Sequence, residues 1–296
     1  IDAVFTPNPK TTEILDRLAL IALSAGSIAA QTDKYFTNTS RIVRANGDSR
    51  VTFAVFMRRR VVAALEPTIR LVRHFVPDVE IRRFYGEGEI VPSESKLLEI
   101  TGSMAKLSEI ETLLLQKTGF PCVSANNAYE MCLALPRAAF LDMHARHASG
   151  AEMNILAAYG AAVGTAAARK ADPSVRGFVG SSQDLTASFF GSEGGMGTMP
   201  HALVGYTDGS VLEALKLFAA TVTEAKSLVA LVDYTGEEVS DSLRCARWFY
   251  EEARLQDQGK SFGIRLDTHG GRFAEGLDYE KSVDAVGHWL GVHGEY

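Results

Sequence analysis

Between Thr11 and Gln31 the apolar residues Ile14, Leu15, Leu18, Ile21, Ala22, Ala25 and Ile28 recur at the spacing of one helix face, predicting a helix with one buried side. The run "VTFAVFMRRR" (51–60) predicts a strand closing on three arginines, and "LEPTIRLVRHFV" (65–76) a helix. From 80 to 103 short apolar runs alternate with Gly, Pro and Ser, the pattern of a small β-rich unit. "KLSEIETLLLQKTG" (106–119) predicts a helix that stops near Gly119.

From about residue 137 the rhythm changes. Short apolar runs at 137–147, 176–182, 227–234 and 262–268 alternate with helical stretches at 151–169, 209–223 and 237–256. Strands alternating with helices imply parallel strands joined by crossovers. Gly160 and Gly164, four apart in the first of these helices, suit close packing against another helix. Five strand ends finish in polar residues: Asp142 to His147, Ser181 with Ser182, His201, Asp233, and Arg265 with Asp267. In a βα barrel such ends share one mouth, where chemistry is assembled. The fold class expected is α/β: an N-terminal α/β (α+β) domain over 1–136, packed beside an irregular βα barrel over 137–296. That barrel reads as truncated at the C-terminus, and a chain starting at Ile1 without Met reads as a fragment.

Composition narrows the picture. A net charge of −6 argues against a general nucleic-acid footprint, though cations converging locally can still bind phosphates. The uncharged run Leu18–Ala30 is too short to span a bilayer, and Asp16 breaks the basic flank that a signal peptide needs. Three cysteines without a CxxC pair fit reduced thiols in a cytoplasmic protein.

The candidate chemistry lies at the strand ends. The Gly-rich "GSEGGMGTMP" before His201 would let backbone N–H groups approach an anion, although a lone His is more often structural. In "DMHARH", Asp142, His144 and Arg146 share a face if the segment stays extended. They could serve a metal-dependent barrel hydrolase, but Arg146 stands where a second ligand would and favours an anion; no residue is assigned to a protein-held metal. Arg265 and Asp267, two apart, form either a structural ion pair or a site for a ligand bearing phosphates and hydroxyls. Asp233 adds a second acceptor one strand earlier.

With "TDKYF" (32–36), "VFMRR" (55–59), "DMHAR" (142–146), "GFVGSS" (177–182), "GTMPHAL" (197–203), "LVDY" (231–234) and "IRLDT" (264–268) in this order, the chain resembles the nicotinate phosphoribosyltransferases and their nicotinamide and quinolinate relatives. "GTMPHAL" is the most specific of these. The resemblance implies transfer of phosphoribosyl from 5-phosphoribosyl-1-pyrophosphate to nicotinate, with Mg2+ and often coupled ATP hydrolysis. It also implies a homodimer with active sites between subunits. Tyr35 is then similar to the aromatic that stacks on the pyridine from the neighbouring subunit, and Arg58 and Arg146 to phosphate-contacting arginines. Ser181 and Ser182 would face the ring carboxylate, and His201 would be the phosphorylated histidine. Asp233, Arg265 and Asp267 would hold ribose and base, with Thr198, Gly270, Gly271 and Arg272 as phosphate donors. Met143 stands where the family carries a stacking aromatic. The alternatives are the same chemistry on nicotinamide or quinolinate, the hydrolase, and a binding subunit without turnover.

Overall fold

The computed structural model describes residues 4–268. Contacts divide the chain into two compact units, Ile1–Met196 and one beginning at Gly197.

The first unit opens with α1 (Pro9–Asp16), α2 (Leu18–Ser24) and α3 (Ile28–Gln31), where the sequence predicts one helix. Asn8 starts α1 by accepting from the Thr11 N–H at 2.8 Å, and Gly26 ends the run at φ 124°, a conformation that favours glycine. The periodicity still marks burial correctly, since Leu15, Leu18 and Ala22 are inside. After α4 (Lys34–Asn46) come β1 (Arg50–Phe56), β2 (Val61–Val62), α5 (Glu66–Phe75), β3 (Glu80–Arg83), β4 (Ile90–Val91) and β5 (Lys96–Ser103). The strands β1, β5 and β3 form an antiparallel sheet with β5 in the middle, and β2 pairs with β4. The three arginines at 58–60 lie in the connection between β1 and β2.

α6 (Met104–Ala134) runs straight through Gly119 and Pro121, so the stop expected at Gly119 does not occur. Tertiary packing outweighs propensity there. A proline inside a helix costs about 3 kcal/mol, whereas each apolar side chain buried returns about 1.5–3 kcal/mol. α6 buries Leu113, Leu114, Cys122, Ala125 and Ala128. Its partner is α7 (Ala151–Ala171), and Gly160 and Gly164 make the contact close: a Cβ at either would sit 2.6 Å from the Pro121 carbonyl oxygen or 2.2 Å from that of Ala125. Between the two helices lies β6 (Ala139–Asp142), and after them β7 (Gly177–Ser181), parallel to it, then α8 (Asp184–Ala187). This α6–α7 packing carries the first unit past residue 136, the boundary read from the sequence, to Met196.

In the second unit α9 (His201–Tyr206) and α10 (Val211–Thr221) precede β8 (Ser227–Leu231), α11 (Glu238–Arg247) and β9 (Ser261–Arg265). β8 and β9 pair in parallel, Leu231 opposite Arg265. Val204, Leu215, Leu228, Leu231, Cys245 and Phe249 form its core. The helix predicted over 237–256 gives way after Arg247 to a π-type turn, Trp248–Glu252. The expected α/β class is thus present, with an α+β part followed by parallel strands and helices. Among the described residues those strands stand as two parallel pairs, and no closed barrel forms.

All three cysteines are free and buried. Burial pushes the Cys122 and Cys245 thiols up to about 12, which leaves them unreactive as nucleophiles.

Candidate active site

In the first unit Asp142 and Ser181 face each other at the carboxyl ends of β6 and β7. Beyond Asp142 the chain does not stay extended. Residues His144–His147 form a 3-10 turn, because the Asp142 carboxylate accepts the His144 N–H at 3.0 Å. The alternation that would put Asp142, His144 and Arg146 on one face is therefore lost. Arg146 is exposed and its Nε lies 3.3 Å from the His147 ring. Met143 lines a cavity of about 450 Å³ with Phe120, Asn127, Leu141, His144 and Phe178.

The two serines separate. Ser181 is buried, its hydroxyl 2.6 Å from that of Thr186 and 3.4 Å from Asp142 Oδ2, so the fold itself engages it. Ser182 donates its N–H to the Asp142 carbonyl at 2.8 Å and is half-buried, and no described residue takes up its hydroxyl. The Gly-rich loop folds back on this strand end. The Met196 N–H donates to the Ser181 carbonyl at 2.7 Å, and Gly195 N–H to Asp184 Oδ1 at 2.7 Å. A Cβ at Gly195 would lie 2.9 Å from the Gln183 backbone, so the loop needs glycine there. One N–H expected to meet an anion is thus already bound to Asp184.

Tyr35 stands on α4, 62% exposed, its ring packed beside Phe36. Arg58 and Arg59 make no ion pair among the described residues, while Arg60 binds Glu130 at 2.6 Å. The three arginines, Asn126 and Asn127 line a second cavity of about 450 Å³.

In the second unit His201 stands not at a strand end, as the sequence suggests, but as the first residue of the helix α9, following the extended Pro200. Its Nε2 lies 3.0 Å from Oδ2 of Asp233, and the Tyr234 ring lies alongside. Asp233 is only 5% exposed, and its Oδ1 is buried without a hydrogen-bond partner. Arg265, at the end of β9, donates to the Thr198 hydroxyl at 3.0 Å and to Asp267 Oδ2 at 2.7 Å. The ion pair that was one of two readings of Arg265 and Asp267 therefore forms, and it also gathers Thr198. Gly270, Gly271 and Arg272 lie outside the described residues.

Two participants escaped the sequence reading. Asp184, in the first turn of α8, pins Gly195, and nothing local in the sequence signals that bond. Glu238, fully buried and accepting from Thr268 at 3.0 Å, had only the "EE" pair opening a helix as a signal. Among the described residues no group of three or more His, Cys, Asp or Glu side chains could hold a metal ion.

No family model matches the sequence, and no curated protein matches it. Solved structures do. Nicotinate-nucleotide pyrophosphorylase from Pyrococcus furiosus is 23% identical with a TM-score of 0.67, over 99% of this chain and 67% of that one. Human nicotinic acid phosphoribosyltransferase is 18% identical with a TM-score of 0.59, over 81% of this chain and 61% of that one. NadC from Streptococcus pyogenes is 15% identical with a TM-score of 0.53, over 81% and 85%. This chain thus spans about two thirds of the length of the first two. At these identities the likeness is one of architecture: the chain shares the fold of these solved structures.

Proposed function

We propose that this protein transfers the phosphoribosyl group of 5-phosphoribosyl-1-pyrophosphate to a pyridine acid, nicotinate, releasing pyrophosphate and giving the mononucleotide used in NAD synthesis. The observation that carries the reading is the Asp233 carboxylate: buried, bonded through one oxygen to His201, with the other oxygen open. A buried acceptor with spare capacity is expensive unless a ligand uses it.

In the reaction the pyridine nitrogen forms a bond to the anomeric carbon as the carbon–oxygen bond to pyrophosphate breaks, and that electron pair leaves with the pyrophosphate. Positive charge grows on the sugar, where Asp233 and Asp267 stabilise it. Arg265 meets the anionic groups of the donor, with Thr198 held by Arg265 as a hydroxyl donor. Mg2+ commonly keeps most of its ligands from phosphate and water and takes one or two from carboxylates. The buried, unpartnered oxygen of Asp233 would be the carboxylate ligand, and the ion would neutralise charge on the departing pyrophosphate. With Nε2 of His201 held by Asp233, Nδ1 is the ring nitrogen for phosphate from ATP. Ser182, with its hydroxyl unengaged, is the serine free to donate to the substrate, whereas the Ser181 hydroxyl is taken up by Thr186 and Asp142. Tyr35 and Ile42, each more than 60% exposed on α4, suit a homodimer in which Tyr35 stacks on the pyridine bound by the other subunit. Among the described residues no helix is long and apolar enough to cross a membrane; a cytoplasmic enzyme is the reading adopted.

Pyrophosphate release with nicotinate, nicotinamide and quinolinate, each with and without ATP, tests the proposal. Release should be fastest with nicotinate, and no release with any of them would end it.

A further inference from the structure

Within the reading of pyridine phosphoribosyl transfer, on which this step rests, we propose that His144 is a specificity-determining residue: its Nε2 donates to the single carboxylate of a heteroaromatic acid held in the cavity at the end of β6. His144, in the 3-10 turn that follows Asp142, lines this cavity, and its Nε2 is buried without a partner. An orphaned nitrogen of this kind is rare in a folded chain and points to a group the chain itself does not supply.

The cavity around it has the composition of a ring site. Phe120, Leu141, Met143 and Phe178 supply apolar walls. Its other polar members are mostly spent. The Ser124 hydroxyl donates to the Ala157 carbonyl at 2.9 Å, and Asp142 accepts from the His144 N–H and lies within reach of the Ser181 hydroxyl. That leaves His144 Nε2 and the Asn127 amide with capacity for a ligand, and both can donate. Two donors of this kind suit a carboxylate, with the Asp142 carboxylate kept to the His144 N–H and the Ser181 hydroxyl. No Lys or Arg lines the cavity, so the donors suffice for one carboxylate and leave a second, as in a dicarboxylic acid, unneutralised.

The test is steady-state pyrophosphate release with nicotinate and the sugar donor varied in turn, for the wild type, His144→Leu, His144→Asn and His144→Gln. A hydrogen bond to a charged group accounts for roughly 10- to 100-fold in affinity. His144→Leu and His144→Asn should raise KM for nicotinate by about that factor, with KM for the sugar donor essentially unmoved. His144→Gln, whose amide can reach as far as Nε2, should restore most of the loss. Should the leucine variant not fold, the asparagine variant decides. Unchanged KM for nicotinate would mean that a water satisfies Nε2 and would overturn the proposal, as would a parallel rise in both KM values. Those two outcomes leave the transfer reading intact. A wild type that releases no pyrophosphate with any pyridine acid removes both.

Discussion

Glu87 in the first unit and Asp233 in the second are both interior carboxylates, 1% and 5% exposed, yet they are built for different ends. Glu87 accepts from the Leu65 N–H at 2.7 Å, the Glu66 N–H at 3.1 Å, Arg83 at 2.8 Å and the Tyr159 hydroxyl at 2.8 Å. It ties the start of α5 to α7 and has nothing left to offer a ligand. Asp233 has one partner, His201, and one bare oxygen. Burial alone does not separate structure from function; unused hydrogen-bonding capacity does.

The comparison breaks first at Asp233. Asp233→Asn keeps shape and volume but withdraws the charge, and turnover should fall about 10²–10³-fold, the usual cost of losing one such electrostatic contact. Thermal unfolding should be little changed, because the fold uses only one oxygen of that carboxylate. Wild-type turnover in this variant would place Asp233 beside Glu87 as a structural acid.

Glu87 should fail in the opposite way. Desolvation raises its carboxyl to about 7, against the donors Tyr159, Arg83 and the Leu65 N–H, which favour the charged form, and with Glu66 adding to the rise. The folded state then binds more protons than the unfolded state between the usual carboxylate range and about pH 7. Its stabilising effect is complete in acid, below the unfolded pKa, and is lost as pH rises through 7, at a maximum of roughly 3 kcal/mol. Urea unfolding of the wild type and Glu87→Gln at pH 5 and pH 8 checks this: the difference between the two proteins should change with pH in that direction. A constant difference would mean that Glu87 is charged throughout.

Gly164→Ala probes the same interior from the packing side. The added Cβ would meet the Ala125 carbonyl oxygen at 2.2 Å, which is backbone and cannot swing away. Overpacking of this sort costs about 1–3 kcal/mol, read as a lower urea midpoint. Gly119→Ala, where a Cβ meets nothing within 4 Å, should instead leave stability equal or slightly higher.

The pair Gly160 and Gly164 was legible in the sequence, as were the parallel strands and the polar residues ending them, because those signals are local. What stayed hidden depends on partners far along the chain. α6 continues through Pro121 because α7, some thirty residues later, covers it. Ser181 looked like a ligand donor equal to Ser182, and only the meeting of β6 with β7 shows Thr186 and Asp142 beside it. The "DMHARH" segment misled for a local reason: an Asp able to accept an N–H two residues on competes with an extended backbone.

The finest distinction concerns the Gly-rich loop, which shares features of both carboxylates. Asp184, exposed, accepts the Gly195 N–H at 2.7 Å and so holds the loop in one shape while occupying a donor that an anion would otherwise meet. If the loop is structural in the sense of Glu87, Asp184→Ala should cost about 1 kcal/mol of stability and leave KM for the sugar donor alone. If it serves the ligand in the sense of Asp233, releasing the N–H should change that KM by a few-fold at nearly constant stability. The bond is exposed and short-range, so its loss should be small in unfolding experiments, while a freed backbone N–H near the end of β7 adds a donor where an anion is expected. A modest fall in KM for the sugar donor in Asp184→Ala is therefore the expected result, and a rise would mean that Asp184 holds the loop in its ligand-binding shape.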